Sequence, residues 1–81
     1  MDLNEYVKKG ITQNAQKLIN GSDKDDELAI GKLAFLLPLS RVLNKKATLG
    51  DVGTLDAIND TLQQLGLVAN GTTFYKQQPA T

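Results

Sequence analysis

Cysteine and histidine are both missing from this 81-residue chain. Without cysteine there is no disulfide staple and no thiolate metal site. Without histidine the commonest general base and the commonest metal ligand are gone. Net charge is missing too, because nine basic residues balance nine acidic ones. A neutral chain exerts no general pull on nucleic acid, which needs a basic field. The longest apolar run, 33–39, is far short of the roughly 20 residues that cross a bilayer. Asp2 and Glu5 stand where a secretory leader carries basic residues. A soluble, cytoplasmic protein is the expectation. With 41% apolar residues, the chain is long enough for one modest core and one domain.

Charges that cancel in sum are segregated along the chain. Asp23, Asp25, Asp26 and Glu27 form an acidic group interrupted by Lys24. Arg41, Lys45 and Lys46 form a basic group, and Asp51, Asp56 and Asp60 a second acidic one.

The apolar pattern predicts helices. Leu3, Tyr6, Val7, Ile11, Ala15, Leu18 and Ile19 recur in steps that place them on one helical stripe. Asp2 is a suitable N-cap, and Asn20-Gly21 is a strong stop because glycine accepts the left-handed conformation past a helix end. Ser22 and Asp23 suit the cap of a second helix. Its apolar residues, from Leu28 to Leu43, crowd every face, which predicts a helix enclosed by protein. Pro38 has no amide hydrogen and crowds the carbonyl of Ala34, so a break or sharp kink is expected there. Thr48 and Asp51 form a capping pair for one brief turn over 49–52. Gly53 then separates that turn from a helix over 54–65, capped by Thr54. Gly66 ends it in a Schellman arrangement with Leu67. Asn70-Gly71 is a strong hairpin signal, predicting strands at 67–69 and 72–75. Residues 77–81, with Pro79, read as a flexible tail. The fold class is therefore mainly α: three to four helices and a C-terminal β-hairpin in a single domain, 1–76.

A helix carrying Leu55, Ile58, Leu62 and Leu65, a Leu-Gly-Leu-Val exit and a two-stranded flap resemble the winged-helix domain over about 28–76. The resemblance implies that 54–65 is the recognition helix, 67–75 the wing, and Ala47-Thr48 a tiny strand, as in DNA-binding regulators. The second helix, 49–52, is shorter than that pattern, and the outer face of the third carries Asp56, Asn59, Asp60, Thr61, Gln63 and Gln64. Two carboxylates there oppose phosphates. A protein partner is therefore expected at Asp56, Asn59, Asp60, Gln63 and Tyr75. The alternative is a DNA-binding regulator, with Arg41, Lys45 and Lys46 as the anionic contact.

Other motifs dissolve on inspection. Gly31-Lys32 has Leu33 after it, Asp26 in place of the first glycine of a phosphate loop, and a helical context. Asp23, Asp25 and Glu27 alternate like calcium ligands, but Leu28 and Ala34 replace the required glycine and glutamate. The sequons at Asn20, Asn59 and Asn70 coincide with turn and helix signals and lack a secretory context. Ser22 and Ser40 have no histidine to activate them. No catalytic residue, cofactor or metal is expected. The expectation is a small non-catalytic interaction or regulatory protein, working by protein contacts and self-associating as a homodimer or other homo-oligomer through the N-terminal helix or the surface over 36–43. A compact accessory protein of the kind encoded by phages and mobile elements fits this size.

Overall fold

The computed structural model describes residues 2–21 and 23–76 and shows α1 (Leu3–Asn20), α2 (Asp23–Leu43), α3 (Leu49–Gln64) and a 3-10 turn, Phe74–Lys76. The sequence predicts α1 closely because its apolar stripe and its cap agree. The Asp2 side chain accepts from the Glu5 amide at 2.8 Å. Gly21 follows with an extended backbone, φ −87°, so α1 ends without the left-handed glycine expected there. Ser22, the expected cap of α2, lies outside the described residues, as does the tail 77–81.

Pro38 does not break α2, which runs as one helix. A proline inside a helix costs about 3 kcal/mol locally, and packing overrides that cost. Leu36, Pro38 and Leu39 are all buried, whereas Ala34, whose carbonyl loses its partner, is exposed to water. Nor is α2 enclosed on every side, because Leu28, Ile30 and Leu37 remain exposed. It ends in a Schellman arrangement. Lys46 N donates to Arg41 O at 2.8 Å and Lys45 N to Val42 O at 3.2 Å, with Lys45 at φ 61°.

The start of α3 corrects a second expectation. Thr48 and Asp51 form the reciprocal capping box, but the helix does not stop after one turn. Gly53 is inside α3, and Thr54, expected as a cap, instead donates its hydroxyl to Gly50 O. A Cβ at Gly53 would meet nothing within 4 Å. Gly53→Ala should therefore raise stability by about 0.5–1 kcal/mol, read as a higher urea midpoint at unchanged slope. The exit of α3 is as expected: Gly66 at φ 75° donates to Gln63 O, and Leu67 N donates to Leu62 O, both at 2.9 Å.

No strand forms among the described residues, so neither the hairpin nor the winged-helix resemblance holds. A tight hairpin turn of type I′ needs positive φ at both central residues. Here only Gly71 has it, φ 82°, while Asn70 does not. The result has the pattern of a type II turn, Thr72 N to Ala69 O at 3.1 Å, whose twist does not suit paired strands. The backbone groups that a ladder would use are taken by side chains of α3. Asn59 Nδ2 donates to Thr72 O and Asn59 Oδ1 accepts from Phe74 N, each at 2.8 Å. Gln63 Nε2 also donates to Thr72 O at 2.8 Å.

The 3-10 turn then brings Phe74 and Tyr75 to the core together, which a strand with alternating faces would not do. Val7, Leu36, Leu39, Leu55 and Tyr75 form the buried cluster, with Leu3, Ile11, Phe35 and Ile58 among the residues packed against it. The core sits where the three helices overlap. Beyond it the hairpin of α1 and α2 continues alone, with every residue of 15–21 exposed, and the molecule is elongated at 41 × 28 × 23 Å.

Candidate functional site

Three places on this scaffold gather polar chemistry. The first joins α2 to α3. Arg41 grips Asp51 with two hydrogen bonds, Nε to Oδ2 at 2.7 Å and Nη2 to Oδ1 at 2.8 Å. Asp51 Oδ2 also accepts from the Thr48 amide at 3.0 Å. One buried carboxylate thus caps α3 and ties it to α2. The Arg41 hydrogen bonds, followed by the Thr48 amide, hold the Asp51 carboxyl well below the usual carboxylate range. A carboxyl depressed in the folded state contributes stability above its unfolded pKa, about 3.9, and that contribution fades as pH falls toward the folded value. Acid titration of an Asp51→Asn variant should accordingly show lower stability at neutral pH and a shallower loss below about pH 4. Of the three cations expected to meet an anion, Arg41 is thus committed within the fold. Lys45 and Lys46 are exposed just after α2.

The second place is the outer side of α3. Of the five residues expected to meet a partner, Asp56, Asn59 and Gln63 hold the chain's own segment 69–75, and Tyr75 belongs to that segment. Asn59 and Tyr75 are buried, at 5% exposure each. Gln63 shares Thr72 O with Asn59, and Asp56 Oδ1 accepts from the Tyr75 hydroxyl at 2.7 Å. That hydrogen bond, with burial and the Asp56 charge behind it, pushes the Tyr75 phenol up to about 12. Asp60 is exposed. The aromatic rings close this region: Phe74 stacks on Phe35 at 6.4 Å and meets Tyr75 edge-on at 5.2 Å.

The third place carries no residue singled out from the sequence as a contact. It is a cleft of about 480 Å³ between α1 and α2, lined by Tyr6, Lys9, Gln13, Asn14, Lys32 and Phe35, among others. Two shallower depressions continue it past Gln16 and Lys17 toward Gly21. Gly10 sets its floor, since a Cβ there would stand 3.0 Å from Leu36 Cδ1. The signal available in the sequence was faint: Asn14 falls on the apolar stripe of α1, where a polar residue is conspicuous. Lys32 belongs to a different helix, and only folding brings it beside α1.

Compared with protein-family models, curated proteins and solved structures, the chain matches none of them. Among the described residues, no acidic cluster suitable for a metal ion occurs, and no helix is long and apolar enough to cross a membrane.

Proposed function

We propose that this is a small non-catalytic interaction or regulatory protein that works through protein contacts and self-associates. The supporting observation is the end of the α1–α2 hairpin, which reaches past the core. There Ile19 is 76% exposed, Leu28 and Ile30 are each 57% exposed, and Leu18 is 38% exposed. Single exposed apolar residues are ordinary, and several on one projecting element favour a contact surface. Of the two surfaces expected for self-association, the one over 36–43 is largely consumed by the core, because Leu36 and Leu39 are buried. The far half of α1 stays available.

The apolar period of α1 also supports this reading. Ala15 and Leu18 continue the stripe of Leu3, Val7 and Ile11 beyond the reach of α3. Affinity capture from an extract of the native host, nuclease-treated and untreated, tests the interaction reading. The expected outcome is a protein partner retained in both extracts. Capture that depends on intact nucleic acid would contradict it.

A further inference from the structure

We infer that the cleft between α1 and α2 receives an acidic, apolar-flanked segment of a partner protein. The inference rests on the interaction reading above and gives it a chemistry. Lys9 and Lys32 line the cleft and Lys17 lines its continuation, and among the described side chains no acidic one lines any of the three depressions. Among the described side chains, which exclude those of Asp23 and Asp25, none of these lysines has an ion-pair partner, and Arg41–Asp51 is the only pair. The wall between them is aromatic and apolar, from Tyr6, Phe35 and Leu36. Cations at the rim of an apolar cleft attract carboxylates.

Asn14 adds a further feature. It is 7% exposed and donates Nδ2 to Gly10 O at 2.7 Å, yet its buried Oδ1 meets no donor among the described residues. A buried acceptor without a donor costs stability, and rotation of the Asn14 side chain, which lines the cleft, would bring that acceptor to a peptide N–H there. Leucine or phenylalanine beside the acid would fill the Tyr6–Phe35 wall. Nucleic acid fits less well, because phosphate tracking wants a broad basic surface, whereas this chain is neutral and the groove carries only Lys9, Lys17 and Lys32 of its lysines.

The test is amide-resolved NMR titration of the full chain with a synthetic peptide in which glutamates alternate with leucine and phenylalanine. Its glutamine analogue and a DNA duplex serve as comparisons. Shifts should cluster at Gly10, Gln13, Asn14 and Lys32 and weaken as salt rises. The glutamine analogue should bind about tenfold more weakly or worse, and Lys9→Gln with Lys32→Gln should lose a similar factor. Phe35 packs on Phe74, so the apolar wall is probed at half-exposed Tyr6 instead, and Tyr6→Ala should weaken binding several-fold with helical content unchanged. Absence of shifts, shifts centred on α3 or the hairpin end, equal binding of the glutamine analogue, or tighter binding of the duplex at these residues would each overturn the assignment. A protein that stays monomeric yet binds the peptide in the cleft refutes self-association alone. One that self-associates yet ignores the peptide refutes the cleft alone.

Discussion

Truncating Leu55 to alanine should cost about 2–5 kcal/mol, the range for deleting a buried leucine side chain. Leu55 is fully buried at the centre of the three helices and packs in the cluster with Val7, Leu36, Leu39 and Tyr75. A domain of this size holds only about 5–15 kcal/mol in total. The loss should appear as a fall in Tm on the order of 10–30 °C. Leu49, on the same helix but 91% exposed, should tolerate alanine within about 0.5 kcal/mol. Thermal unfolding of the two variants side by side checks the placement of α3. Equal losses would mean that α3 presents a different face to the core.

The second large effect is expected at Asn59. Its amide group donates to Thr72 O and accepts from Phe74 N, and it is buried. Alanine there removes both hydrogen bonds and leaves the Phe74 amide without a partner, which should cost about 2–3 kcal/mol. The damage should be uneven. Hydrogen exchange at Phe74 and Tyr75 should accelerate most, because the segment loses its anchor, while α1 keeps its protection up to the new global limit. Gln63→Ala should do less, since Thr72 O retains its bond from Asn59. Uniform acceleration along the chain would place the anchor elsewhere.

The C-terminal segment also shows where reading the sequence stops. Asn70-Gly71 is a strong local signal, yet turn type was decided by residues more than ten positions away in sequence. Asn59 occupies the backbone groups of Thr72 and Phe74, and Tyr75 gains both a buried site and Asp56 as an acceptor. No local pattern announces a side chain that replaces a strand. Pro38 and Gly53 mislead for the same reason: each is a helix breaker by local cost, and burial of Leu36 and Leu39, or of Asp51 and Leu55, outweighs it. Legible elements were those whose signals are local and mutually consistent. Asp2 caps α1, Thr48 and Asp51 cap α3, and Gly66 closes it.

The candidate surfaces follow the same division. Leu18 and Ile19 at the end of α1 were visible as part of its apolar stripe, but their exposure was not, because it depends on where α3 ends. Arg41 and Asp51 fell into groups of opposite sign in the sequence, and the fold cancels them against each other. The cleft was invisible because it joins Lys9 and Asn14 of α1 to Lys32 and Phe35 of α2 across the hairpin. Side-chain period describes one helix at a time, and a groove needs two.

Light scattering at high micromolar concentration, on the unmodified protein and on the Ile19→Ser, Leu28→Ser variant, tests the contact surface most directly. Both substitutions replace exposed residues outside the core, so the variant should fold with unchanged helical content and stability within about 0.5 kcal/mol. The account predicts a mass above the monomer for the unmodified protein and a monomer mass for the variant. A monomer mass for both, or an oligomer that survives the two substitutions, would contradict it.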